Sequence, residues 1–179
     1  MRCYLKGELR RRFALAWFMV PEDARERLEP FLRSVRAVTS IRGTRLRLAD
    51  GTRATVDEEG EAVLLSDETS TPSRGWLLVR RHAARVPEVP VIGMFLHELA
   101  HALYRLEDAP RTAIQPEDRA EAAAWLLAAS WAAHGALGYR KGLDLVCFAM
   151  NQADEDLKGW VDFHPIGYSL GLQGAESTP

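Results

Sequence analysis

The chain has 179 residues, 47% of them apolar and 27% charged, which is the balance of a soluble globular protein and excludes a disordered or low-complexity one. No apolar run approaches the roughly 18 residues needed to cross a bilayer, so no membrane partner is expected. The formal net charge of −2 divides unevenly: residues 1–48 hold 12 Lys/Arg against 5 Asp/Glu, and the rest hold 11 against 20. A basic N-terminal segment is able to meet nucleic acid or an acidic partner. Its arginines alternate with apolar residues, however, and no run of aromatics accompanies them for base stacking, so a solvated face is expected and a nucleic-acid partner is not.

The first apolar stretch, Phe13 to Val20, follows Arg10-Arg11-Arg12 and mimics a secretion signal. It is short, and Pro21-Glu22-Asp23 stands where small residues would mark cleavage, so a cytoplasmic protein is expected. Leu28, Phe31, Leu32 and Val35 then share one helix face within Glu22 to Val38, with Pro30 kinking or restarting that helix. Thr44–Leu48, Arg53–Val56 and Ala62–Leu65 read as a three-stranded meander punctuated by Asp50-Gly51 and Glu59-Gly60. Trp76–Val79 offers a fourth strand.

Past Pro90 the periodicity becomes helical. Val91 to Leu106 is one apolar helix, stopped by Asp108-Ala109-Pro110. A second opens at Pro116 with Glu117 and Asp118 in its first turn, where acids complement the helix dipole, and ends at Gly135 after an alanine-rich run. A third spans Leu143 to Leu157, and an irregular tail follows from 159 to 179. The order is an α+β arrangement in one domain covering 1–179: helix plus sheet over 1–80, helices over 90–158. Cys3 and Cys147 lie far apart with no CxxC, and read as two buried free thiols.

His97-Glu98-Leu99-Ala100-His101 is an HExxH sequence within the first of these helices. Histidines four apart share a face, separated by about 6 Å of rise, so both imidazoles reach one ion. Glu98 is turned about 100° from His97, close enough to bond a water at the metal without ligating it. That division suits a zinc ion, which acidifies water and polarises a carbonyl, with Glu98 as catalytic general base. With 5 His and the glutamates present, a random shuffle would contain HExxH only about once in a hundred trials. The competing reading is a pair of core histidines bonded to backbone or carboxylates.

An open catalytic zinc site needs a third protein ligand and a position for water. The HExxHxxGxxH extension fails, because Tyr104 and Glu107 replace its glycine and histidine. Glu121, one turn into the second helix, reaches the histidines if the two helices run antiparallel, and small neighbours (Ala120, Ala122, Ala123, Ala124) permit close approach. The expected ligand set is His97, His101 and Glu121, with Glu117 next in line, and the expected cofactor is one Zn²⁺ per chain.

These residues, His97 to Leu103 followed by Arg119-Ala120-Glu121-Ala122, resemble the gluzincins, zinc peptidases whose third ligand is a glutamate, with a spacing like that of thermolysin-like enzymes. The run Glu117 to Leu127 is similar to ImmA/IrrE-type bacterial metallopeptidases. The resemblance covers roughly residues 91 to 130 and implies a small zincin-like fold, a metallopeptidase hydrolysing a peptide or protein substrate, and a strand edge that pairs with that substrate, from Ala62–Leu65 or Trp76–Val79. Thermolysin-like enzymes place an aspartate one turn after the glutamate to orient a histidine; Trp125 stands there in this chain. Candidates for a transition-state donor are His134, Tyr139, His164 and Tyr168. The alternative function is a zincin-fold regulatory or binding protein without useful hydrolysis.

Overall fold

A computed structural model of the chain describes residues 1–67, 69–106, 117–135 and 139–161; the side chains of 117–119, 139–140 and 157–161 lie outside that description. The chain begins with β1 (Arg2–Cys3), followed by α1 (Gly7–Met19) and α2 (Glu22–Phe31), and returns as β2 (Leu32–Val38). A short hairpin, β3 (Arg45–Arg47) and β4 (Arg53–Thr55), precedes β5 (Ala62–Asp67) and β6 (Arg74–Arg80). One 3-10 segment (Arg81–Arg85) leads into α3 (Glu88–Leu106), and α4 (Glu117–His134) and α5 (Tyr139–Val161) complete the described elements.

The fold is α+β, with a mixed sheet in the order β1-β2-β6-β5 and a separate antiparallel pair, β3-β4. β1, β2 and β6 run parallel, and β5 is antiparallel to β6. This corrects the meander: β4 pairs with β3, but β5 leaves that hairpin and pairs with β6 across the main sheet. Alternating hydropathy specifies which face of a strand is buried, not which strand lies beside it. The apolar run Trp76-Leu77-Leu78-Val79 shows why β6 is central, being buried on both faces.

A second correction concerns the long helix expected from Glu22 to Val38. Helix α2 closes at Phe31, immediately after Pro30 in its last turn, and Leu32 to Val38 is extended. Pro30 cannot donate to the preceding turn. The residues beyond it include Val35 and Val38, β-branched residues that pack better on a pleated surface than in a helix. The apolar stretch that mimics a secretion signal lies within α1, whose buried residues Leu9, Phe13, Ala16 and Met19 are spaced along one face.

Helix α3 is the axis of the main core, which gathers Ile92, Phe95, Leu96 and Leu99 with Leu28, Val35 and Leu77. Two contacts fix where it starts. Buried Arg12 donates from Nη1 to Ala83 O (3.1 Å) and Val86 O (2.8 Å), pinning the segment before α3. Glu88, in the first turn, pairs with Arg11 (2.7 Å) and Lys141 (2.8 Å), tying α3 to α1 and α5. Gly93 lets α5 approach closely, since a Cβ there would stand 2.8 Å from the Phe148 ring. A smaller cluster of Ile41, Leu46, Val56, Val63, Trp76 and Leu78 lies on the other face of the sheet, under the β3-β4 hairpin.

Both cysteines are free, as expected, but exposed rather than buried. Cys3 lies on a two-residue edge strand and Cys147 on an outward position of α5. No helix among the described residues is long and apolar enough to cross a membrane.

Candidate metal centre

The HExxH sequence occupies the middle of α3, and Glu121 sits in the second turn of α4, which packs against it. Ala122 and Ala124 are buried at 2% and 0% exposure, and side chains this small allow the helices to close on one another. Tyr104 Oη donates to Ala123 O at 3.4 Å across the same gap. His97, His101 and Glu121 therefore converge: each offers a ligand atom, and these lie within 4.8 Å of one another, a group able to hold a metal ion.

Three contacts define the cluster. His97 Nε2 lies 2.9 Å from Glu121 Oε2, His101 Nε2 lies 3.2 Å from Glu121 Oε1, and the two Nε2 atoms are 3.1 Å apart. Ligands on a zinc tetrahedron at about 2.0–2.1 Å from the ion are about 3.3–3.4 Å from each other, slightly more than these spacings. Protons alone serve the cluster poorly. Each Nε2 carries at most one hydrogen, so two hydrogens must satisfy three close contacts, and the carboxylate supplies none when ionised. A single cation at the centre serves all three donors together.

The electrostatics favour the protonation states a metal requires. Burial pushes the His97 imidazole below its ordinary pKa, towards the neutral form, against the pull of Glu121. Hydrogen bonds from His101 and His97 hold the Glu121 carboxyl well below the usual carboxylate range. A neutral imidazole and an ionised carboxylate are competent ligands without first losing protons.

Glu98 lies on the adjoining strip of α3. Burial raises its carboxyl to about 7, with Glu121 pushing the same way and His101, the Leu64 amide and Arg105 opposing. The Leu64 N–H donates to this carboxylate. Leu64 belongs to β5, the outer strand of the sheet, whereas β6 is paired on both sides. Of the two strands considered for substrate pairing, β5 is the one with no strand on its outer side among the described residues. Arg80 N–H donates to Glu61 O at 2.8 Å, so with a period of two the backbone groups of Ala62, Leu64 and Ser66 turn outward. Arg105 Nη1 reaches that edge, donating to Leu64 O (3.0 Å) and Ser66 Oγ (2.9 Å).

Trp125 has a part that sequence reasoning did not assign. Its indole stacks on the His97 ring, with centroids 4.1 Å apart and planes 26° from parallel, while His101 meets the same ring edge-on at 4.5 Å. His97 Nδ1 is buried and has no hydrogen-bond partner among the described residues. The imidazole is thus oriented by an aromatic face rather than a carboxylate. Asp156 on α5 is near enough for its charge to favour protonated His97. The one available signal for Trp125 was its spacing, one turn after Glu121; nothing in the sequence pointed to Asp156 or Arg105, and Ala62–Leu65 was one of two candidate edges between which the sequence did not choose.

The remaining candidates fall away from this centre or outside the description. His134 lies 13 residues beyond Glu121 on the same helix, about 20 Å along its axis, and its Nδ1 contacts Ser130 O at 2.8 Å. Glu107, His164 and Tyr168, and the side chains of Glu117 and Tyr139, lie outside the described residues. The chain matches no family model, no curated protein and no solved structure.

Proposed function

We propose that the protein is a zinc-dependent metallopeptidase with a zincin-like arrangement, in which His97, His101 and Glu121 hold one zinc ion and Glu98 is the general base. The observation that carries this reading is the three-way contact of two Nε2 atoms and one carboxylate at 2.9–3.2 Å, which a cation satisfies and two protons do not. The donor set of two imidazoles and a carboxylate, with no thiolate, is that of an open catalytic zinc site. A bound zinc ion supplies the Lewis acidity of the reaction.

The chain's own residues supply the rest. Glu98, with its carboxyl raised to about 7 by burial, is matched to accept a proton from the attacking water at near-neutral pH and return it to the leaving amine. The outward backbone groups of Ala62 and Ser66, with Leu64 O, supply pairing for an extended peptide, holding it along α3 without demanding particular side chains, while Leu64 N–H stays with Glu98. Displacing the Arg105 contact at Leu64 O is part of that pairing. The β5 edge beside Glu98 supports a peptide or protein substrate in this reading.

The deciding experiment measures metal by mass spectrometry on purified wild type, His101→Ala and Glu121→Ala, together with hydrolysis of an unbiased peptide library. About one zinc per wild-type chain, lost in both variants and accompanied by wild-type cleavage, supports the reading. Wild type that takes up no zinc at neutral pH would sink it; zinc uptake with no cleavage of any peptide would reduce it to a metal-holding regulatory protein.

A further inference from the structure

One concavity among the described residues lies away from the histidine cluster. It is an open trough of about 870 Å³ on the opposite face of the main sheet, over β1, β2 and β6. Five arginines line it: Arg2, Arg33, Arg36, Arg47 and Arg74. They arrive from four strands; Glu29 is the one acid in the lining, and Asp67, opposite Arg74 on β5, has its carboxylate bonded by Ala49 N–H and the Thr69 hydroxyl. Among the described residues none of the five forms an ion pair. Buried Arg36 Nε has no hydrogen-bond partner there.

Clustering of this kind costs free energy through like-charge repulsion; four of the five arginines belong to the basic segment 1–48, while the protein as a whole is net acidic at −2. One of the arginines is held in place. Arg33 donates from Nη1 to Arg47 O (3.1 Å) and lies over the Trp76 ring at 5.6 Å. The guanidinium is therefore presented by a cation–π contact instead of being free to swing away. Lysine is absent from the lining. Planar guanidinium forks suit bidentate recognition of phosphate or carboxylate, where a lysine would act as a point charge.

The chemistry of the rim separates phosphate from carboxylate ligands. Tyr4 also lines the trough and is 54% exposed, which leaves its ring available for stacking. Exposed aromatic surface beside a row of arginines suits a strand whose phosphates meet the guanidinium groups while a base stacks on the ring. We infer that the arginine trough between β1, β2, β6 and the β3-β4 hairpin binds single-stranded nucleic acid. Tyr4 and Trp76 join the arginines only through the parallel pairing of β1 and β6 with β2, a juxtaposition that the sequence does not display. The trough lies across the sheet from α3, so its occupant leaves the β5 edge and the histidine cluster free.

The test is fluorescence anisotropy of a labelled short oligothymidylate with the full-length protein, run beside a polyglutamate peptide of matched charge and across a salt series. Binding should be micromolar at low salt, with log K falling against log salt at a slope between about −2 and −3.5, as three to five neutralised phosphates require. The exposed residues Arg2, Arg47 and Arg74, replaced together by Glu, should weaken it by at least about tenfold. Replacing exposed Arg10, Arg81 and Arg85 by Glu imposes the same change in net charge and should leave it within about twofold. Zinc content and thermal stability, measured on both variants, show that each remains folded. The inference is overturned if no oligonucleotide binds, if the control set weakens binding as much as the trough set, or if polyglutamate binds as tightly. None of these outcomes depends on peptide hydrolysis, so this inference and the proposed peptidase activity fail separately.

Discussion

The two faces of the main sheet handle charge in opposite ways. On the inner face, α3 and α4 bury His97 to 6% exposure and surround Glu98 with core, so desolvation dominates and pulls pKa values away from their ordinary positions. On the outer face, Arg2, Arg47 and Arg74 stay exposed, where water and salt screen them. The inner face thus has groups tuned one at a time for chemistry. The outer face has a summed field suited to holding a polyanion, in which no single arginine need be indispensable.

The largest effect expected on the inner face is on turnover. Glu98→Gln keeps both histidines and Glu121, so zinc content should be unchanged while peptide hydrolysis falls by about 10²–10⁴-fold, the usual worth of a positioned acid–base group. Full hydrolysis by this variant would remove Glu98 from the reaction.

The same substitution sharpens the contrast in stability. Burial raises the Glu98 carboxyl from 4.5 to about 7, so the neutral form is the better one for folding. The stability it contributes is fully present below about pH 4.5 and is lost as the pH rises through about 7, reaching about 3 kcal/mol. Metal-free Glu98→Gln should therefore melt several degrees above metal-free wild type at pH 8, with the gap closing towards pH 4.5. A constant gap across that range would show that burial of the charge is not its source.

Smaller effects follow at the supports of the site. Trp125→Ala removes the surface against which His97 is stacked and should lower zinc affinity by about 10–100-fold in a chelator competition, as for other groups that orient ligands; Trp125→Phe should recover most of it. Arg105→Ala frees Leu64 O and should cost about 1 kcal/mol in denaturant unfolding, the net worth of such hydrogen bonds. Smallest of all, glutamate at Arg2, Arg47 and Arg74 should change unfolding stability by no more than about 0.5 kcal/mol per site. A large loss there would mean that those arginines support the fold, and the contrast between the faces would collapse.

Much of the inner face was readable from local pattern because its determinants are local. His97 and His101 are linked by the 3.6-residue period of one helix, and Glu121 by a short connection to the next, so periodicity and small alanines suffice to place them together. Helices α3 and α4 were placed nearly to their ends for the same reason, whereas α5 runs beyond the expected Leu143–Leu157 at both ends. The Trp125–His97 stack was less accessible: spacing puts Trp125 beside the site, but whether its ring lies against the imidazole depends on the crossing of α3 and α4 and on Phe148 behind it, 5.7 Å from the indole.

The sheet divides what the sequence by itself determined from what only the tertiary structure decided. Alternation and turn residues located strands at Arg45–Arg47, Arg53–Thr55, Ala62–Asp67 and Arg74–Arg80 to within a few residues, because burial on a pleat has a local period of two. Partnership has no such signature. That β5 has no strand on its outer side among the described residues, that β6 lies between β2 and β5, and that Tyr4 meets five arginines on the outer face are consequences of long-range pairing. Those pairings are chosen by how the whole core closes around α3, and no window of sequence contains that information.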